Sequence, residues 1–302
     1  MTTSTVTPYA PFAQRQPDGQ YRDLLRRILA HGTTEPTPQG APALTLMQQT
    51  TRYDLRNGFP LITERDISFW KKAIGELCAF INGATSLTEL AKFGCDWWHP
   101  WATAEKTAKR GLPTGTLGPG SYGGAFRSFP GPDGPFDQFA HLVEQIRERP
   151  ELRTHFVSPW IPAYQVRGEG KTPKTTIAPC HGWVHVRVLG GAIHLHMFQR
   201  AADVPVGVPS NMAQYGALLL MIAHLTNRPA GTFYHTMSDA HVYENQIHAI
   251  TPMLGRQARR LPTLELTEAG RAITDIHDFR SEHFELSDYE PHPPIGQIPV
   301  SP

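Results

Sequence analysis

Cys180 stands in Ala178-Pro179-Cys180-His181, and further along the chain comes Gln199-Arg200-Ala201-Ala202-Asp203. A thiol is a nucleophile only as its thiolate, and a free cysteine with a pKa of about 8.5 is only slightly ionised at neutral pH, so a cation has to stand close. Arg200 is the candidate. Apolar and polar residues alternate over Trp183 to Val188 and Ala192 to Phe198 around Leu189-Gly190-Gly191, which predicts a hairpin that carries Arg200 back to Cys180. An isolated cysteine is more often a buried core residue, and the rest of the chain has to argue otherwise. A cysteine hydrolase with His181 as base fails on expected geometry, because neighbours on a strand point to opposite faces. His185, His194 and His196 form the one alternative metal grouping, on facing strands of the same hairpin.

The elements that must position these residues follow from periodicity. Leu24, Leu25, Ile28 and Leu29 mark a helical stripe ending at His31-Gly32, and Thr33 to Ala43, with its prolines, reads as a loop. Residues 44–54 look extended, and Asn57-Gly58 turns the chain into Phe59-Pro60-Leu61-Ile62. Ile67 to Ile81 is apolar at helical spacing and closes on Asn82-Gly83, a left-handed cap; Glu76 lies inside this otherwise apolar helix. Residues 95–131 carry Trp97, Trp98 and Trp101 and then a glycine-rich run, a composition suited to lining a pocket. Phe136 to Arg149 is an amphipathic helix stopped by Pro150. Asn211 to Leu225 is almost wholly apolar but shorter than the roughly 20 residues that span a bilayer, which makes it a core helix. The irregular mixture of strands and helices predicts an α+β fold.

Composition narrows the function classes. The 302 residues are 40% hydrophobic, enough for a large core with an enclosed pocket. Lys plus Arg number 28 against 27 Asp plus Glu, so no global field recruits nucleic acid or membrane and an anionic ligand must be met by local arginines. Cys78, Cys95 and Cys180 have no paired spacing, which argues against a disulfide framework and fits a cytoplasmic protein. Residues 1–20 lack the pattern of a signal peptide and read as a flexible arm ahead of a single catalytic domain over 21–302.

The motifs align in order with one family over nearly all of the chain from residue 21. They are Asn57-Gly58-Phe59-Pro60-Leu61, Glu76 in its helix, Trp98 and Trp101, Leu117-Gly118-Pro119 with Tyr122-Gly123, Pro179-Cys180-His181, Gln199-Arg200 with Asp203, Gly207-Val208-Pro209 with Asn211 and Tyr215, Asp239-Ala240-His241-Val242-Tyr243, and Pro299-Val300-Ser301-Pro302. The chain resembles thymidylate synthase and the pyrimidine nucleotide hydroxymethylases. The resemblance implies a large mixed β-sheet packed with helices, a sheet-mediated homodimer, and 5,10-methylenetetrahydrofolate as co-substrate without a metal. It implies Cys180 as the nucleophile that adds to C6 of a pyrimidine nucleotide monophosphate, turning the ring into an enolate that attacks a one-carbon unit. Arg200 and His181 attend that thiol, and Tyr122 and Glu76 occupy the positions of proton traffic at C5. Desolvation in so apolar a helix would raise the pKa of Glu76 toward neutrality. Asn211 is expected to read the base, since a carboxamide accepts from N3–H and donates to O4 of uracil, whereas relatives acting on cytosine carry a carboxylic acid there. His241 and Tyr243 are expected on the sugar hydroxyl, Asp203 on the pterin ring with Trp98, Trp101 and Gly207 near it, and Arg153 on the partner subunit's nucleotide.

The departures from the family pattern concentrate on ligand handling. Thr37-Pro38-Gln39-Gly40-Ala41 stands where a phosphate-binding arginine is usual, Ala201 replaces a hydroxyl residue, and Arg153-Thr154 keeps one of two arginines. Ser210 replaces a phenylalanine that packs on folate, His185 a glutamine, and His99 an acidic residue. This drift around a retained reaction core favours a specialised relative, with room at Ala201 for a ribonucleotide and water intercepting the exocyclic methylene to give a hydroxymethyl product. Reductive methylation of dUMP to dTMP is the alternative, and Trp98 is compatible with it. A noncatalytic nucleotide- or RNA-binding relative would not need Cys180, Arg200, Glu76, Tyr122, Asn211 and Asp203 together.

Overall fold

In the structure, a computed structural model that describes residues 9–301, the long strands are those whose alternation the sequence displays. Along the chain, helix α1 (Gln20–His31) leads to β1 (Thr33–Glu35), β2 (Ala43–Asp54) and α2 (Trp70–Ile81). Short α3 (Leu87–Ala91), α4 (Ala104–Ala108) and α5 (Tyr122–Arg127) precede a small β3–β4 hairpin (Phe129–Gly131, Gly134–Phe136), α6 (Gln138–Glu148) and β5 (Phe156–Val157). Then come β6 (Trp183–Leu189), β7 (Ala192–Asp203), α7 (Gly207–Leu225), β8 (Ala230–Tyr243), α8 (Ile247–Leu254), β9 (Thr263–Leu266), α9 (Glu268–Arg271) and β10 (Phe284–Ser287).

Six strands form the main sheet in the order β1-β2-β8-β7-β6-β5. Every neighbouring pair is antiparallel except β7 with β8, which run parallel. A parallel pair needs a crossover, and α7 supplies it. The mixed sheet and its helices are the expected α+β arrangement. The β6–β7 hairpin turns through Gly190 and Gly191, with Leu189 paired to Ala192. Both glycines take positive φ, 58° and 81°, which a side chain would resist.

The period of two on this hairpin sorts its residues by face. Val184, Val186, Ile193, Leu195 and Met197 are fully buried, while Trp183, His185, Arg187, His194, His196 and Phe198 on the other face are only half-covered. Helix α7 is buried on nearly every side, as its continuous apolar sequence requires, and packs against the sheet and α2. Each large aliphatic side chain buried there contributes about 1.5–3 kcal/mol. No helix among the described residues is long and apolar enough to cross a membrane.

Several local expectations are corrected. The stretch over 33–43, expected as loop, contains β1, an edge strand whose side chains are all exposed; with no buried face it had no apolar pattern to display. The arm expected over residues 1–20 is packed from residue 9 onward, while residues 1–8 lie outside the described part. Tyr9 donates to Leu264 O at 3.0 Å, and the buried Arg15 guanidinium reaches Leu261 O at 3.0 Å and Thr263 Oγ1 at 2.6 Å. Those bonds are polar, and the one side chain among them that packs on the core, Tyr9, is too isolated to set up a hydrophobic period. Helix α2 begins at Trp70 rather than at Ile67.

Candidate active site

Cys180 lies just before β6, in a segment without regular structure. The expected return of β7 brings Arg200 beside it: Arg200 N donates to Cys180 O at 2.6 Å, and Arg200 Nη2 lies 3.4 Å from Cys180 Sγ. The same guanidinium donates to Pro179 O at 3.2 Å and lies over the Trp160 ring, 5.8 Å from its centroid. Burial pushes the Cys180 thiol up, and the Arg200 charge and the Tyr122 hydroxyl pull against that. The cation is therefore present as expected but only partly offsets desolvation.

Tyr122 opens α5, and its hydroxyl accepts the Cys180 N–H at 2.7 Å. Its approach depends on Gly123, where an added Cβ would come 2.1 Å from Ala84 O. The Tyr122 ring stacks on Phe80 and on His181, at 4.8 and 4.5 Å between centroids, and meets Trp98 edge-on at 6.3 Å. Burial holds its phenol well above the usual range, so it stays protonated. His181 is not on a strand, which corrects the strand argument used against it as a base. A different constraint applies: its Nδ1 is 2.7 Å from Tyr215 Oη, and burial pushes the ring down to about 3, so the imidazole is neutral.

Glu76 is buried, and no cationic side chain among the described residues pairs with it. Its Oε1 accepts from the indole N–H groups of Trp97 and Trp98 and faces the Cys95 thiol at 3.7 Å, and its Oε2 accepts from Gln214 Nε2. Desolvation raises its carboxyl and these donors oppose it. The Trp98 ring, packed against Trp101 at 5.5 Å and Phe80 at 5.7 Å, closes the gap between Glu76 and Tyr122. Cys180, Tyr122, Trp98 and Glu76 are thus joined by direct contacts.

Asn211, in the first turns of α7, continues this polar seam. Its Oδ1 accepts from Gln199 Nε2 at 3.0 Å, and its Nδ2 donates to Gln214 Oε1 at 3.0 Å. His235 Nε2 lies 2.7 Å from Gln199 Oε1. The sequence named Trp97 only among pocket-lining aromatics and Gln199 only within its motif, and gave Gln214 and His235 no part. Gln214 had a signal, an amide in a helix otherwise built of apolar residues, but His235 had none.

The remaining candidates gather where β7 and β8 end. Asp203 pairs with His241 in the parallel register. Its carboxylate accepts from Val206 N at 3.2 Å and from Gln246 Nε2 at 3.1 Å, and burial raises it. Gln246 also donates to Pro299 O at 3.0 Å, which ties the C-terminal segment to this end. His241 Nδ1 bonds Asp239 Oδ1 at 2.7 Å, leaving Nε2 for another partner, and its ring meets Tyr243 edge-on at 5.1 Å. Gly207 is the first residue of α7.

Arg153 stands apart from these residues: it is exposed, and its carbonyl accepts from His185 Nε2 at 3.1 Å. His185 and His196 are cross-strand neighbours, but His196 Nε2 is engaged with Thr236 Oγ1 at 3.0 Å and His194 Nδ1 accepts from Thr232 N at 3.2 Å. No group of three or more metal-ligating side chains occurs among the described residues. The Thr37–Ala41 loop is held to the far end of β8 by Glu244 N donating to Pro42 O at 2.9 Å.

The sequence profile described as thymidylate synthase matches residues 19–301. The chain belongs to the thymidylate synthase family. Members of this family transfer a one-carbon unit to a pyrimidine nucleotide with methylenetetrahydrofolate as co-substrate, so the protein is a folate-dependent one-carbon transferase. The thymidylate synthase profile spans every candidate residue named above, from Glu76 to Tyr243.

Proposed function

We propose that the protein transfers the one-carbon unit to C5 of a uracil nucleotide monophosphate through a covalent Cys180–C6 adduct. The observation that carries this reading is the contact series Cys180–Tyr122–Trp98–Glu76, which joins a nucleophile to a proton-exchanging carboxylate through one hydroxyl and one indole. The Cys180 thiol gives its proton to solvent at the half-open rim as its sulfur adds to C6, with the Arg200 charge favouring the thiolate. Carbon 5 then attacks the one-carbon unit that methylenetetrahydrofolate supplies. The C5 proton leaves by way of the Tyr122 hydroxyl toward Glu76, whose carboxyl burial raises and so makes a stronger base than an exposed carboxylate. Loss of that proton breaks the bond to the folate nitrogen, which departs as tetrahydrofolate and leaves an exocyclic methylene on the Cys180-bound ring; once the methylene is trapped, the ring enolate expels the Cys180 sulfur and the C5–C6 double bond returns.

Asn211 reads N3 and O4, and His241 and Tyr243 take the sugar. Asp203 suits the pterin of the folate: its carboxylate is already held by two donors and keeps acceptor capacity for ring N–H groups. Arg153, exposed on its own chain, fits a residue lent across a homodimer to the neighbouring nucleotide.

The product we assign is hydroxymethyl, formed when water adds to the exocyclic methylene. Ser210, half-exposed where a large packing residue is usual, leaves the folate side open to water. A second reading, reductive methylation with release of dihydrofolate, is favoured by the close packing of Trp98 against Phe80, Trp101 and Tyr122, which keeps water from C5. Incubation of UMP and dUMP with labelled methylenetetrahydrofolate, followed by mass analysis of the nucleotide, tests both. A hydroxymethyl product with tetrahydrofolate is expected, dihydrofolate formed in step with a methylated nucleotide selects the second reading, and an unmodified nucleotide overturns the function.

A further inference from the structure

A single buried run of hydrogen bonds crosses the molecule from the centre of the sheet to α2. It begins at His235 on β8, passes through Gln199 on β7, then Asn211 and Gln214 on α7, and ends on Glu76. All five side chains are buried, and His235 and Gln214 are fully so. We infer that Gln214 and His235 are positioning residues that hold the Asn211 amide in one orientation, the one that accepts uracil and rejects cytosine. This inference rests on the proposed assignment of Asn211 to the base.

The sense of the run is fixed at both ends. A backbone carbonyl can only accept, so the Gln199 atom 3.1 Å from Ala201 O is its amide nitrogen. That nitrogen also faces Asn211 Oδ1, and Gln199 Oε1 is left to His235, whose Nε2 must then carry the ring proton. At the other end the Glu76 carboxylate accepts, so Gln214 turns its nitrogen to Glu76 and its oxygen to Asn211 Nδ2. Every donor from His235 to Gln214 therefore points toward Glu76. Turning Asn211 over would set nitrogen against nitrogen on one side and oxygen against oxygen on the other, in a place closed to water.

An asparagine without such neighbours reads uracil and cytosine alike, because a flip exchanges its oxygen for its nitrogen at almost no cost in shape. Here the flip is blocked, and Asn211 keeps one oxygen lone pair and one N–H for a ligand. O4 lies between C5 and N3 on the ring, and the proposed chemistry puts C5 toward Glu76. The Nδ2 end of Asn211, on the Gln214 and Glu76 side, then meets O4, and the Oδ1 end meets N3–H. Cytosine offers an acceptor at N3 and an amino group at C4 and would need the blocked orientation.

The test is calorimetric binding of UMP, dUMP, CMP and dCMP to the full chain without folate. The wild type is compared with Gln214→Met, which removes the acceptor for Asn211 Nδ2, and Gln214→Glu, which keeps it. We expect the wild type to prefer the uracil nucleotides, Gln214→Met to lose about tenfold of that preference, and Gln214→Glu to retain it. His235→Phe should lower the preference to a smaller extent and decides the matter should Gln214→Met not fold. A role in stability alone would weaken both bases together, so an unchanged uracil-to-cytosine ratio in Gln214→Met, or in His235→Phe, overturns the inference. Equal wild-type binding of the two bases also overturns it while leaving the proposed reaction standing. Binding of none of the four nucleotides would instead remove the proposed reaction.

Discussion

The two ends of the candidate site are built on different physical terms. Around Glu76 and Asn211 the side chains of Gln199, Gln214, Trp97 and Trp98 hold one another's polar groups, and aromatic rings pack beside them. Around Cys180 the partners are one guanidinium, the carbonyls of Ala178 and Pro179 and the Tyr122 hydroxyl, and Cys180 itself is half-buried. The closed end has its geometry before any ligand arrives, which suits reading a base and moving a proton. The open end has chemistry but few anchors, which suits the proposed completion by the ligand's phosphate and by Arg153 of a second subunit.

The largest test of this contrast is Cys180→Ala. Turnover should fall by about 10³-fold or more, as for other enzymes that lose their nucleophile, while thermal stability and nucleotide binding persist; a steady-state rate near that of the wild type would remove the covalent step. Glu76→Gln probes the closed end. Release of the C5 proton, followed with tritiated nucleotide, should slow by about 10²- to 10⁴-fold, with KM little changed.

Arg200→Ala separates cation from cavity. Arg200 lowers the thiol against the desolvation that raises it, so its removal should move the ascending limb of the kcat/KM profile to higher pH.

A smaller effect belongs to the sheet. Burial pushes both His181 and His235 from 6.5 to about 3. The unfolded chain takes up these protons below its ordinary value and the folded chain refuses them, so their contribution is complete above 6.5 and is lost as pH falls toward 3. His235→Gln should therefore show a shallower fall of the urea midpoint than the wild type across that range. The smallest change is expected at the rim: Gln39→Arg restores a cation in an exposed loop and should lower the KM for the monophosphate by a few-fold at most, about 0.2–1 kcal/mol, and less in high salt.

How much of this was legible in the sequence depended on how far the signal had to travel. The β6–β7 hairpin needs only a two-glycine turn and alternation, so the meeting of Cys180 with Arg200 followed from local pattern. The helices α2 and α7 followed from apolar runs, and Glu76 stood out by being the wrong residue type for its surroundings. Residues 9–19 and β1 were misread because their anchoring is chiefly backbone or polar, and such contacts leave no period in the chain.

What the sequence determined by itself was the inventory of candidate groups and the local elements that present them: the thiol with its guanidinium, the isolated carboxylate, the amide proposed to read the base, and the two helices and the hairpin that hold them. What only the tertiary structure decided was the pairing among buried polar groups. His235, Gln199, Asn211, Gln214 and Glu76 come from four separate elements, and a side-chain amide or imidazole offers both donors and acceptors. Which of them meets which, and in what sense, is fixed only when the sheet, α7 and α2 close on one another and exclude water, because then each unpaired group becomes costly.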